Sequence, residues 1–102
     1  MSSNQIVVLA TFTPKSGAEQ EVEDVLRGMI QPTRSEGGNE MYDLCRSSSN
    51  GRQQFHLVER YRDQSALEDH RQTDHYRSYR AAIPELLDED ISVVVMDALD
   101  VV

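Results

Sequence analysis

Two of the chain's three histidines, His70 and His75, fall in the stretch Glu59–Tyr79, alongside Tyr61, Tyr76 and Tyr79. Histidine is the side chain best suited to exchanging a proton near neutral pH. A tyrosine hydroxyl can donate a hydrogen bond to a substrate oxygen. Glu59 adds a carboxylate. Alternation along 53–62 places it on one face with Phe55, Leu57 and Tyr61, while His56, Val58 and Arg60 take the other. If helices cover the first face, Glu59 lies in apolar surroundings. It then either pairs with an arginine or serves as a base or anchor with a raised pKa.

Each of these residues has a structural reading as well. His70 precedes Asp74 by four and fits a surface ion pair. His75 fits a cap or bridge at a helix break near Thr73-Asp74. No metal is expected: residues five apart sit about 140° around a continuous helix and do not converge as an i, i+4 zinc pair does. His56 has the parity of a residue facing away from the helices. Met29, Met41 and Tyr42 read as packing. Cys45 lies in a strand with no histidine beside it in sequence and also reads as packing. Arg60, Arg62, Arg77 and Arg80 read as solvated charges balancing the acids.

These residues need a frame. Residues 5–13 are β-branched and apolar and end at Pro14, which predicts a strand. Ser16–Glu19 has the pattern of a capping box. Val22, Val25, Leu26, Met29 and Ile30 then recur at helical spacing. That helix should end around Arg34 to Glu36, stopped by Gly37-Gly38, with Pro32 able to bend or end it a turn earlier. Residues 40–46 alternate weakly as a second strand. Ser47–Gly51 reads as a loop with an Asn-Gly turn, and 53–62 as a third strand in a hairpin with the second. Ser65–Glu68 is another capping-box pattern, so a second helix should start near Ser65. It should break or bend at Thr73-Asp74 and run through Tyr79 to about Ile83. A short helical piece follows from Pro84, then a last strand over 91–101.

The order β-α-β-β-α-β predicts an α+β, ferredoxin-like domain spanning 1–102: a four-stranded antiparallel sheet with helices on one face. Both parities of the first and last strands are apolar: Ile6, Val8, Ala10 and Phe12 but also Val7 and Leu9; Ile91, Val93 and Val95 but also Val94 and Met96. A half-solvated sheet should alternate. Helices cover one face only, so a second copy of the chain is expected on the other, as a homodimer.

Composition narrows the function. Eighteen acidic residues against ten basic ones give a net charge of −8. That disfavours nucleic acid and anionic membrane surfaces. One Cys in 102 residues excludes an internal disulfide or a cysteine-built metal cluster within one chain. Lys15, the only lysine, sits in a Pro-Lys-Ser-Gly turn, a poor place for a Schiff base. No apolar run approaches a membrane span. The start Met-Ser-Ser-Asn-Gln lacks the features of a signal peptide, so a cytoplasmic protein is expected.

Several segments carry a family resemblance: Thr33-Arg34-Ser-Glu36-Gly-Gly38, Tyr42-Asp-Leu44 and Phe55-His-Leu-Val-Glu59-Arg-Tyr61-Arg-Asp63. The most specific is Ala66-Leu-Glu-Asp-His70-Arg-Gln-Thr73-Asp-His75-Tyr76-Arg-Ser-Tyr79. The chain resembles the antibiotic biosynthesis monooxygenase family over nearly its whole length. The resemblance implies a dimeric α+β barrel with a pocket between sheet and helices. It also implies oxygenation of a quinol- or anthrone-like aromatic by O2 without metal, flavin or haem. On that reading His75 or His70 accepts the proton, Glu59 is the matching strand carboxylate, and Tyr79, Arg34 or Tyr42 holds substrate oxygens. The chain has no Trp, no Asn within the first strand and no His after His75, unlike haem-degrading relatives. Two alternatives stand beside oxygenation. One is isomerisation of a small, possibly phosphorylated dicarbonyl, as in another branch similar over Glu59–Tyr79. The other is a non-catalytic small-molecule-binding or stress protein.

Overall fold

The structure is a computed structural model and describes residues 4–102. Its elements run β1 (Ile6–Phe12), α1 (Glu19–Arg34), β2 (Asn39–Ser49), β3 (Arg52–Tyr61), α2 (Gln64–His70), α3 (Asp74–Ala82), a 3-10 turn (Pro84–Leu86) and β4 (Ser92–Asp97). The four strands form one antiparallel sheet in the order β2-β3-β1-β4. This is the ferredoxin-like arrangement expected from the element order.

β1 lies in the middle of the sheet and sets the register. Val8 pairs with Glu59 on one side and Val95 on the other; Ala10 pairs with Leu57 and Val93. Its inward residues Ile6, Val8, Ala10 and Phe12 are buried. Ala10 and Phe12 pack with Val22, Leu26 and Met29 of α1 and Phe55 and Leu57 of β3, while Ile6 and Val8 pack with Tyr61 of β3 and Ala66 and Leu67 of α2, forming the two clusters of the core. Burying a Leu or Phe side chain is worth about 1.5–3 kcal/mol, so this layer holds the helices on the sheet.

Several local expectations change. The first helix has Ala18 at its cap with no side-chain bond; the Glu19 carboxylate instead accepts from the Gly17 N–H, at 2.9 Å. Pro32 neither ends nor shortens α1, which runs on to Arg34. The serines at 47–49 are strand, not loop. The β2–β3 hairpin turns on Asn50 and Gly51 alone, both at positive φ (52° and 76°), the signature of a tight two-residue turn. The cap of α2 is Asp63, whose carboxylate accepts from the Ala66 N–H at 2.8 Å, so Ser65 is not the cap. β4 is shorter than 91–101. Cys45 is exposed rather than packed.

β4 is also exposed along its whole length, on both parities. Val94 and Met96 face away from the helices and are 45% and 39% exposed; Val93 and Val95, on the helical side, are 41% and 45% exposed. The helices therefore cover β1 to β3 and leave the β4 edge open. Leu9, also pointing away from the helices, is 36% exposed. Among the described residues, no helix is long and apolar enough to cross a membrane.

Candidate active site

The helix break at residues 71–73 organises the site. Thr73 stops one helix and starts the next: its hydroxyl donates to the His70 carbonyl at 2.7 Å and accepts from the Tyr76 N–H at 3.2 Å. Thr73 is thus the N-cap of α3. The break removes the angular separation that a continuous helix would impose. His70 and His75 converge, with ring centroids 6.0 Å apart.

They converge on Glu36, which sequence reasoning did not select. The His70 Nδ1 lies 2.8 and 3.1 Å from the two Glu36 carboxylate oxygens, and the His75 Nε2 lies 2.5 Å from one of them. His70 is buried, so it does not form the surface pair with Asp74 that its spacing allowed. Burial lowers its pKa, since a charge is poorly solvated there; Glu36 opposes this. His70 therefore stays neutral more readily than a free imidazole and keeps a lone pair able to accept a proton. Around it stand three tyrosines: Tyr76 edge-on at 5.1 Å, Tyr61 at 5.3 Å and Tyr42 at 5.9 Å between ring centroids.

The Glu36, His70 and His75 ligand atoms lie within 4.8 Å of one another, the one such group among the described residues that could hold a metal ion. A first-row divalent ion sits about 2.0–2.1 Å from nitrogen and oxygen ligands, which places tetrahedral ligands about 3.3 Å apart. The 2.5 and 2.8 Å spacings here are those of hydrogen bonds. The cluster has the geometry of one carboxylate accepting from two imidazoles. The side chains would have to spread to admit an ion.

Glu59 is 5% exposed, inward on β3 as its parity required. Its partner is not an arginine ion pair but the Tyr61 hydroxyl, which donates to it at 2.6 Å. Burial pushes the Glu59 carboxyl up to about 7, with Tyr61 and the more distant Arg71 pulling partly back. The phenols of Tyr42, Tyr61 and Tyr79 are all pushed up, first by burial, so they act as hydrogen-bond donors. The buried Tyr42 hydroxyl makes no well-formed hydrogen bond, nor does that of Thr33. Thr33 stands close enough to Tyr42 to oppose the rise slightly.

Glu59, His70, Tyr76 and Tyr79 share the wall of a small cavity between sheet and helices, about 20 Å³, with Arg71 and Arg80 also lining it. That volume admits about one water molecule. His75 lines a different space, an open groove of about 420 Å³ between α1 and α3, with Val25, Gly28, Met29 and Tyr79. Arg34 is not brought to the cluster. Its guanidinium donates to the Tyr42 carbonyl at 2.9 and 3.1 Å and meets Asp43 at 3.3 Å, lining a groove of about 520 Å³ between α1 and β2. His56 lies on the sheet face away from the helices, held by Thr11 at 3.1 Å and Ser47 at 2.8 Å. The structure thus gathers His70, Glu59 and Tyr79 at one cavity, keeps Tyr42 behind His70, and sets His75 across Glu36.

The chain is similar to several known proteins. Rv0793 of Mycobacterium tuberculosis, named "Putative monooxygenase Rv0793", is 40% identical over 96% of this chain and 95% of its own. Its solved structure superposes with a TM-score of 0.89, covering 94% of this chain and 96% of that one at 41% identity. The Bacillus subtilis protein named "Putative monooxygenase YcnE" is 29% identical over 87% of this chain and 93% of its own. PA3566 of Pseudomonas aeruginosa superposes with a TM-score of 0.86 at 28% identity, covering 98% and 99% of the two chains. The antibiotic biosynthesis monooxygenase profile matches residues 5–82, and the chain belongs to that family.

Proposed function

We propose that this protein is a cofactor-independent monooxygenase that oxidises a quinol- or anthrone-like aromatic with O2, with His70 as the proton acceptor. The observation that carries this reading is a buried imidazole, kept from charging by burial and backed by a carboxylate, in the wall of the same cavity as Glu59. An electron-rich anthrone loses its methylene proton to His70. The resulting anion passes one electron to O2, the radical pair combines to a peroxide anion, and that anion takes the proton back from His70 to become a hydroperoxide. Loss of water leaves a carbonyl. Anthrone plus O2 gives anthraquinone plus water, so the substrate supplies all the electrons and no further reductant is needed. The protein's part is to take the proton, stabilise the anion and exclude water. Tyr79 and, in its protonated form, Glu59 line the same cavity and supply the hydrogen-bond donors for the developing oxyanion in this reading.

A drug-sized aromatic needs a cavity of roughly 300 Å³ or more. Binding therefore requires the wall of Tyr76, Arg71 and Arg80 to move outward. The working unit in this proposal is a cytoplasmic homodimer packed through the sheet face that carries Leu9, Val94 and Met96. A stable interface buries about 800 Å² per partner, and these exposed apolar side chains would otherwise face water.

One observation favours a second reading. The cavity is small and has two arginines in its lining. That suits a small anionic dicarbonyl, isomerised through the same base. The assay is oxygen uptake by metal-free protein with a panel of anthrones, naphthalene quinols and menadiol. Enzyme-dependent uptake that is lost in His70→Ala supports oxygenation. No uptake with any member, together with solvent-deuterium exchange into small dicarbonyls, moves the protein to the second reading.

A further inference from the structure

We infer that Glu36 and His75 form a clamp that fixes the tautomer of His70, with His75 a positioning residue and not the proton acceptor. This rests on the reading of His70 as the base. A carboxylate has lone pairs and no proton to give. Both Glu36 oxygens lie at His70 Nδ1, so the His70 ring carries its proton on Nδ1. Nε2 then holds the lone pair. It makes no hydrogen bond within the described residues and is the nitrogen left to meet a substrate in the cavity that His70 lines. A carboxylate that orients an imidazole and stabilises its charged form is the arrangement that serves hydrolytic triads.

Glu36 alone would not hold this geometry. It follows α1 by two residues in a short connection to β2, and its carboxylate is about one-sixth exposed. His75 supplies the second hold: its Nε2 donates to the same carboxylate oxygen that takes the closer His70 contact. His75 is placed to do so by the Thr73 cap. His75 lines the α1–α3 groove, with Glu36 between it and His70.

The groups facing His70 are consistent with a neutral, oriented ring. Tyr42 approaches from β2, Tyr61 from β3, His75 and Tyr76 from α3, Glu36 from the end of α1, and Arg71 from its own connection. Glu59, Tyr79 and Arg80 face the ring across the cavity they line together, and Glu36 is the carboxylate hydrogen-bonded to it. When the substrate proton arrives at Nε2, the resulting imidazolium lies against that charge. Transfer adds one proton to Nε2 and removes none from Nδ1, so the clamp stays intact through the step.

Two independent measurements test this. The first needs no substrate. In long-range proton–nitrogen spectra of full-length, 15N-histidine-labelled protein, His70 should show a protonated Nδ1 and an unprotonated Nε2. Glu36→Gln should keep the fold and shift the His70 titration downward, through loss of the charge. Glu36→Leu should give mixed tautomers. A protonated Nε2 in the parent protein, or parent-like spectra in Glu36→Leu, overturns the clamp. Stoichiometric zinc uptake by the cluster at micromolar concentration also overturns it and makes the three residues a metal site.

The second measurement uses turnover. His75→Leu should lower kcat about 10- to 100-fold with KM within about threefold, and move the acid limb of the pH profile. His75→Gln, which restores an N–H donor toward Glu36, should recover most of kcat. His70→Gln should show no recovery. If His75→Gln is as inactive as His70→Gln, His75 is itself the acceptor and the assignment fails. If no substrate turns over, the proposed reaction fails, but the tautomer spectra still decide the clamp.

Discussion

Replacing Glu59 with glutamine should flatten the pH dependence of stability between pH 4.5 and 7. The Glu59 carboxyl is 5% exposed and is pushed by burial from 4.5 up to about 7. Below pH 4.5 it is protonated in both folded and unfolded chains and contributes nothing to the difference. As pH rises through the window, the unfolded chain ionises first, and the folded state loses stability relative to it. The loss is complete above about pH 7. Each tenfold difference in proton affinity is worth about 1.4 kcal/mol, so the interval corresponds to roughly 3 kcal/mol. The amide introduced by Glu59→Gln keeps an acceptor for the Tyr61 hydroxyl and does not ionise in this range. Urea unfolding of both proteins at fixed concentration, from pH 4.5 to 8, isolates this contribution. The stability of Glu59→Gln relative to the parent should rise by about 3 kcal/mol across the window. Parallel curves would refute the reasoning and mean that Glu59 is as well solvated as a surface carboxylate.

Three other outcomes follow from particular contacts. Gly38→Ala would put a Cβ 2.4 Å from the Ala66 Cβ, and overpacking of that kind costs about 1–3 kcal/mol; thermal melts should show the loss, while Gly28→Ala, with nothing within 4 Å, should cause no clash. Thr73→Val removes the α3 cap and the hydroxyl bond to His70; stability should fall by about 1 kcal/mol, with the His75 nitrogen signals shifted as it leaves Glu36. Tyr42→Phe deletes a buried hydroxyl that makes no well-formed hydrogen bond, so chemical denaturation should find stability unchanged or raised by up to about 1 kcal/mol.

The strand and helix order was legible because hydrophobic periodicity is local. The parity of Glu59 could be read from alternation along its strand, and it holds. Convergence of His70 and His75 was not legible, because angular spacing assumes an unbroken helix. The Thr73-Asp74 break was visible in sequence, but the direction in which it turns the second helix depends on packing. Glu36 gave no periodic signal at all. It lies just past a helix end, 34 residues before His70, and only the packing of α2 and α3 against that end brings the two together. Arg34 shows the reverse: the family resemblance offered it as a holder of substrate oxygens, but the Tyr42 carbonyl lies within its reach and takes its guanidinium. The exposure of Val93 and Val95 was hidden because parity says which way a side chain points, not whether a helix extends far enough to cover it.

The most direct test of base-assisted oxygenation at His70 is conversion of an anthrone under 18O2 by metal- and flavin-free protein. The expected product is an anthraquinone carrying one 18O atom, with one O2 consumed per product and no enzyme-dependent product in His70→Ala. Turnover without O2, an unlabelled product, or undiminished activity in His70→Ala would contradict it.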